Sequence, residues 1–153
     1  MVLMRNLSRR AMLSALLAAV AAPAAFAQQP QKIDVFKSPT CGCCEKWVTH
    51  LRNSGFAPTS TNVDDMKVIK ARHHVTSALE SCHTAIVAGY VIEGHVPASD
   101  IKRLLKERPA IAGLTAPGMP PGSPGMEAPN AKPYDVLAFD KQGKTRVFAT
   151  HAP

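Results

Sequence analysis

The chain has 153 residues and a formal net charge of +7, a size that suits a single domain preceded by a short targeting segment. Its basic residues are scattered singly, and two Tyr and one Trp are too few aromatics for the usual footprint of nucleic-acid binding. The apolar stretch at 11–22 is shorter than the about 20 residues that a transmembrane helix requires, which disfavours an integral membrane protein.

The first 27 residues have the features of a cleavable export signal. Three arginines precede the apolar stretch, and Ala25-Phe26-Ala27 fits a small-residue cleavage site. Arg9 and Arg10 are adjacent, as in a twin-arginine signal, although an ordinary secretory signal is the alternative. We expect cleavage after about Ala27, a periplasmic location, and one mature domain at 28–153 with 15 basic and 11 acidic residues.

The first half of the mature chain predicts two pairs of strand and helix, from alternating or helically spaced apolar residues between turn-forming residues. Ser38-Pro39-Thr40 supplies a turn and an N-cap, and Gly55 a C-cap. The predicted elements are a strand at 32–36, a helix from Cys44 to about Gly55, a strand at 59–63, and a helix from Asp64 towards His73.

The second half predicts a hairpin, a helix, a loop and a second hairpin. The loop at 109–133 contains seven Pro and four Gly, so we expect it to be irregular. The other elements are strands at 84–87 and 90–92, a helix from Pro97 to Arg108, and strands at 134–139 and 145–149. The order strand, helix, strand, helix, hairpin, helix indicates an α/β protein with a thioredoxin-like β-α-β-α-β-β-α core and a C-terminal β-hairpin.

A cluster of cysteines, Cys41-Gly42-Cys43-Cys44, follows the first strand at the predicted start of the first helix. A helix N-terminus favours thiolate over thiol, and so favours both metal capture and nucleophilic attack. Adjacent cysteines do not readily form a disulfide with each other, and two pairings of Cys41 compete, so a permanent disulfide is disfavoured. The alternative is a thioredoxin-type redox pair of Cys41 and Cys44, which form a C-x-x-C motif.

Further soft ligands are predicted at the same edge of the sheet. The first hairpin strand should run antiparallel to the first strand, so Cys82 and His83, at the entry to that hairpin strand, should lie beside the cluster. The second hairpin strand returns there and delivers His95. The irregular loop adds Met119 and Met126, whose thioethers are either ligands or contacts that fix the loop to the core. His83 and His95 are each either a ligand or a structural hydrogen-bonding residue.

Thiolate, thioether and imidazole donors together select copper, in the Cu(I) or Cu(II) state, over hard ions such as Mg²⁺ and Ca²⁺. Zinc is less favoured, because structural zinc sites usually combine separated pairs of cysteines. Adjacent thiolates such as those of Cys43 and Cys44 suit a polynuclear cuprous site. The sequence leaves open whether the protein is an enzyme, a copper or thiol oxidoreductase, or a metal-binding protein, and its expected partners are metal ions and other exported copper-handling proteins.

Several separated motifs belong together: Lys37-Ser38-Pro39-Thr40-Cys41-Gly42-Cys43-Cys44, Trp47, Ser81-Cys82-His83-Thr84, Gly94-His95-Val96-Pro97 and Gly118-Met119-Pro120. Over about residues 32–150 the chain resembles the CopG-like family, a periplasmic copper-resistance family also called domain of unknown function 411. The resemblance implies a thioredoxin-like domain with a role in copper detoxification, including interconversion of cuprous and cupric ions. It implies that the four cysteines are ligands, with His83 and His95 as neighbouring candidates.

Overall fold

The computed structural model describes residues 29–152, so the predicted export signal at 1–27 lies outside the described residues. Within this range no helix is long and apolar enough to cross a bilayer. The described elements are β1 (Gln31–Lys37), α1 (Gly42–Asn53), β2 (Phe56–Asn62), α2 (Met66–Arg72), β3 (His83–Val87), β4 (Tyr90–Gly94), α3 (Ala98–Glu107), β5 (Gly113–Ala116), β6 (Tyr134–Phe139) and β7 (Thr145–His151).

The seven strands form one mixed sheet in the order β2-β1-β3-β4-β5-β6-β7. The β1–β2 and β4–β5 pairs are parallel, and the other four pairs are antiparallel. The antiparallel β1–β3 pair, which the sequence predicts, aligns Lys37 with His83. The end of β1 therefore meets the start of β3 at one edge of the sheet, and this edge carries the cysteines.

The core follows from the apolar patterns of the strands and helices. In β1 the inward residues Ile33 and Val35 alternate with more exposed ones, as expected for a strand with one buried face. In α1 the buried residues recur at helical spacing and include Trp47 and Leu51, both fully buried. This apolar face of α1 joins the main core cluster, which fixes the helix and the cysteines at its start.

The prediction that 109–133 is wholly irregular is wrong at β5. This four-residue strand is buried throughout and lies between β4 and β6, so it joins the predicted C-terminal hairpin to the core sheet. A Cβ at Gly113 would overlap the carbonyl oxygen of Val91, so a glycine is required where the two strands approach. Four residues between prolines at 109 and 117 are too few to show strand periodicity.

The predicted start of the first helix is also corrected. Helix α1 begins at Gly42, so Cys43 and Cys44 both lie in its first turn. Its N-cap is Cys41, whose side chain makes no capping hydrogen bond, rather than a residue of the preceding turn. The amide of Cys41 instead donates to the carbonyl of Ser38 at 3.2 Å, which closes that turn. The start of α2 agrees with prediction, because the Asp65 side chain accepts from the amide of Lys67.

Candidate metal centre

The sulfur atoms of four cysteines lie within 4.8 Å of one another. Three come from the N-cap and first turn of α1, and the fourth, Cys82, comes from the loop that leads into β3. The Cys82 sulfur lies 3.5 Å from that of Cys44 and 3.9 Å from that of Cys43. The structure therefore brings together residues from the two segments that the strand directions predict to meet.

Two of these cysteines are joined by a disulfide bond, Cys41–Cys44. Cys43 and Cys82 are free thiols, and the Cys43 sulfur lies 3.5 Å from that of Cys41. This is the C-x-x-C pairing that the sequence offers as the alternative to a metal cluster. Chemically, a disulfide beside two close free thiols is an arrangement that suits either thiol-disulfide exchange or metal binding.

A second group of potential ligands shares Cys82 with the first. Its sulfur lies 3.3 Å from Nδ1 of His83 and 3.0 Å from Nε2 of His95. The ligand atoms of these three residues also lie within 4.8 Å of one another. Cys82 is thus the residue that joins the sulfur cluster to the two imidazoles.

The hydrogen bonds of His95 determine which of its nitrogens is available. Nδ1 lies 2.8 Å from the carbonyl oxygen of Pro124 in the Pro-rich loop. Because a carbonyl can only accept, Nδ1 carries the hydrogen, and Nε2 presents a lone pair towards Cys82. Burial lowers the pKa of His95, which favours this neutral form. An imidazole fixed by its other nitrogen in this way is typical of metal-binding histidines.

His83 is completely buried and packs between two aromatic rings. Its ring centroid lies 4.3 Å from that of Trp47 and 5.0 Å from that of His95. Within the part of the chain that the structure describes, Nε2 of His83 has no hydrogen-bond partner. Burial, with smaller contributions from His95 and Lys70, holds the pKa of His83 well below 6.5. The ring is therefore neutral at physiological pH.

Burial also affects the thiol of Cys82, which both groups of potential ligands share. It is the main cause that raises the pKa of Cys82 to about 12, with a further contribution from Cys43. Without a metal, Cys82 is protonated at neutral pH and is a poor nucleophile. A metal ion that binds here must displace this proton, so binding is coupled to proton release.

The two predicted methionines occupy different positions. Met126 lines an open groove of about 500 Å³ together with Cys43, Lys46 and Glu127. Met119 is 38 % exposed and does not line this groove. Cys43 and Met126 therefore share one open groove.

The sequence did not predict a buried ionic network behind the Cys82 loop. Glu93 in β4 is fully buried, pairs with the buried Lys70 of α2, and accepts a hydrogen bond from Thr84. Burial raises the pKa of Glu93, and Lys70 opposes that shift. A charged residue inside an otherwise apolar strand was the available signal, since buried charges are rare unless they are paired.

Comparisons with known proteins identify the family of this chain. Residues 79–126 match the family described as "Protein of unknown function, DUF411". Two solved structures, forms 1 and 2 of a copper resistance protein copG, are each 41% identical to this chain, with TM-scores of 0.76 and 0.75. The matches cover 81% and 80% of this chain and 99% and 98% of those chains. A comparison with curated proteins finds no match. With this identity over nearly the whole length of both solved chains, the protein belongs to the CopG-like family, DUF411, as its motifs indicated.

Proposed function

We propose that this chain is a periplasmic copper-binding protein that acts in copper resistance or homeostasis. The observation that carries the proposal is the convergence of four cysteine sulfurs within 4.8 Å, with Cys82 also in contact with two neutral imidazoles. The identity to proteins described as copper resistance proteins supports copper as the metal. Cys41, Cys43, Cys44 and Cys82 are the main ligands, and His83 and His95 complete the site.

The donor set suits cuprous ions. Thiolates are soft ligands that select Cu(I), and imidazole also binds copper well. The close spacing of the sulfurs favours bridging thiolates, each shared by two ions, and hence a polynuclear site. Zinc could use the same donors, but one tetrahedral zinc ion would leave part of this set unused. Met126 is an auxiliary ligand on the groove that leads to Cys43, and Met119 is the weaker candidate because it lies outside that groove.

The disulfide links copper binding to redox chemistry. Reduction of Cys41–Cys44 by an external dithiol takes two electrons and two protons from that dithiol, which becomes a disulfide, and yields the two thiols that complete the set of four. In the reverse sense, the dithiol of Cys41 and Cys44 can give one electron to each of two Cu(II) ions. The products are two Cu(I) ions, the disulfide and two protons. Interconversion of cuprous and cupric ions is therefore part of the proposed activity.

The remaining assignments rest on the fold and the N-terminus. The order β2-β1-β3-β4 with intervening α1 and α2 supports a thioredoxin-like core. The sequence features of 1–27 support export and cleavage after about Ala27, which leaves a single domain in the periplasm. Partners of such a protein are metal ions and other exported copper-handling proteins.

A second candidate function is thiol-disulfide exchange. It is favoured by the Cys41–Cys44 disulfide at the start of α1, where thioredoxin-type enzymes carry their redox pair. In that function Cys43 and Cys82 have no required role, and the buried neutral histidines have none either. The copper proposal uses all of these residues.

The two functions are separated by elemental analysis of the protein purified from the periplasm, combined with titration of free thiols. Copper above one equivalent per chain, with the thiols masked until the metal is removed, is the expected result. Metal-free protein with a Cys41–Cys44 disulfide that a thioredoxin-type donor reduces would overturn the copper proposal. One copper per chain would overturn the polynuclear site alone.

A further inference from the structure

The carboxylate of Glu93 contacts the loop that carries Cys82 at two points. One oxygen, Oε1, accepts the amide hydrogen of Ser81 at an N–O distance of 2.7 Å. The other, Oε2, accepts the hydroxyl of Thr84 at 2.6 Å. These contacts lie immediately before and after the dipeptide Cys82-His83. The carboxylate therefore bridges the two ends of the segment that supplies one thiol and one imidazole.

The next two residues, at the end of β4, also contact this loop. Gly94, at a φ of +72°, packs so closely that a Cβ would overlap the side chain of Ser81 and lie 2.9 Å from the carbonyl oxygen of Ala116. The next residue, His95, contacts the Cys82 sulfur. Glu93, Gly94 and His95, three consecutive residues at the end of β4, thus contact the loop from Ser81 to Thr84. The Glu93 carboxylate makes its contacts in the protein interior.

The carboxylate is itself held in place by a buried cation. Lys70 of α2 is 5% exposed, forms an ion pair with Oε1 of Glu93, and lies 3.4 Å from the Thr84 hydroxyl. Both oxygens of Glu93 are therefore occupied, and the ion pair with Lys70 fixes the orientation of the carboxylate. A fully buried charge with this many partners has one preferred geometry.

We propose that Glu93 is a positioning residue of the copper site, which fixes Cys82 and His83 against the α1 cysteines through its bonds to Ser81 and Thr84. This inference rests on the proposed copper function. Among the described residues, the hydrogen bonds of the Glu93 carboxylate go to Lys70, Ser81 and Thr84, so it acts on the ligands through the loop that carries them. Partners of this kind orient ligating side chains, and their loss typically lowers metal affinity by about 10- to 100-fold.

If the ion pair of Lys70 and Glu93 only stabilised the fold, its replacement by apolar residues in a folded variant would leave Cu(I) affinity unchanged. A buried ion pair can often be replaced by apolar residues of similar volume with little loss of stability. The double variant Lys70→Met, Glu93→Leu removes both charges and leaves the Ser81 amide without its acceptor. The matched control, Lys70→Met, Glu93→Gln, also removes both charges but keeps a carbonyl oxygen that can accept from Ser81.

The test compares Cu(I) affinity, measured by competition with a chromophoric chelator, and thermal unfolding in the wild type and both double variants. The expected result is an about 10- to 100-fold weaker affinity in the leucine variant and a change below about threefold in the glutamine variant. Wild-type affinity in a folded leucine variant would overturn the proposal. Equal losses in both variants would also overturn it, because the charge rather than the acceptor would then matter.

If the leucine variant does not fold, Thr84→Val serves in its place, because it removes one of the two loop contacts and keeps the ion pair. A measurable loss of Cu(I) affinity at unchanged secondary structure supports the proposal, and unchanged affinity contradicts it.

Amide hydrogen exchange of Ser81 in the metal-free proteins separates this inference from the proposed function. Should the wild type bind no copper, the copper function fails, and exchange still decides whether Glu93 fixes the loop from Ser81 to Thr84. Protection of the Ser81 amide in the wild type and glutamine variant, with loss in the leucine variant, supports it. Equal protection in all three proteins overturns it.

Discussion

Nε2 of His95 lies 3.0 Å from the sulfur of Cys82, although the two residues stand 13 positions apart. The β3–β4 hairpin produces this contact, because its two ends return to the same edge of the sheet. Across the same edge the Cys82 sulfur is 3.5 Å from that of Cys44 in α1. Cys82 thus stands between the thiols of the helix and the imidazoles of the hairpin.

Replacement of Cys82 should therefore impair copper binding without impairing folding. Loss of a residue that only orients a metal ligand typically weakens binding by about 10- to 100-fold. We expect Cys82→Ser to weaken Cu(I) binding by more than this, because it removes a ligand itself. The free energy of unfolding should change by no more than about 1 kcal/mol, because β3 is held by the buried residues that follow. Chelator competition and thermal denaturation measure the two effects, with Ser81→Ala as the matched control. Normal copper binding by Cys82→Ser would refute the convergence of the two ligand groups.

Tryptophan fluorescence should report on the site directly. Trp47 is the single tryptophan of the chain, and its ring centroid lies 4.3 Å from that of His83. Its Nε1 donates to the carbonyl oxygen of Val96 at 2.9 Å, so the indole has a fixed orientation. We expect anaerobic Cu(I) addition to the reduced protein to quench this emission in a saturable titration. Emission that does not change while copper binds would place the metal away from His83.

The prediction of this site from sequence depended on strand direction. An antiparallel β3 and a returning β4 were enough to place Cys82 and His95 near the helix start. The Glu93–Lys70 pair was not predictable in this way, since its partners are 23 positions apart and their pairing depends on how α2 packs on the sheet. Strand β5 escaped prediction because four residues carry no periodicity. The redox state of Cys41 and Cys44 is not encoded by spacing, because the same C-x-x-C motif serves disulfides and metals.

The thiol of Cys82 should be alkylated unusually slowly. Burial raises the pKa of Cys82 from 9.0 to about 12, so at pH 8 its thiolate fraction is lower by about 1,000-fold than that of a thiol with the ordinary value. We expect alkylation of the metal-free, disulfide-containing protein at pH 8 to modify Cys82 far more slowly than a cysteine in an unstructured peptide. Peptide mapping by mass spectrometry gives the rate for each residue, and denatured protein is the control. A peptide-like rate at Cys82 in the folded protein would contradict this.

Stability should fall with acidification below the ordinary histidine pKa. The pKa of His83 is well below 6.5 in the folded state because of burial, whereas the unfolded chain binds a proton near 6.5. The unfolded state therefore takes up protons first, and the stability contributed by neutral His83 is complete above pH 6.5 and declines below it. The slope approaches about 1.4 kcal/mol per pH unit for this one group.

Denaturant unfolding of metal-free wild type and His83→Gln between pH 5 and 7.5 isolates this contribution. His50, His73 and His95 also have lowered pKa values, so the difference between the two proteins is the relevant quantity. The wild type should lose more stability than the variant as the pH falls. Parallel profiles for the two proteins would show that His83 does not titrate differently on folding.

We infer that the copper site needs four free sulfurs rather than two. This requirement is tested most directly by titrating Cu(I) anaerobically into the fully reduced protein and into the protein with the Cys41–Cys44 disulfide intact, with bound copper counted per chain. We expect more than one tightly bound Cu(I) in the reduced protein and a marked loss of affinity or stoichiometry in the disulfide form. Equal binding by both forms, or no tight binding by the reduced form, would contradict it.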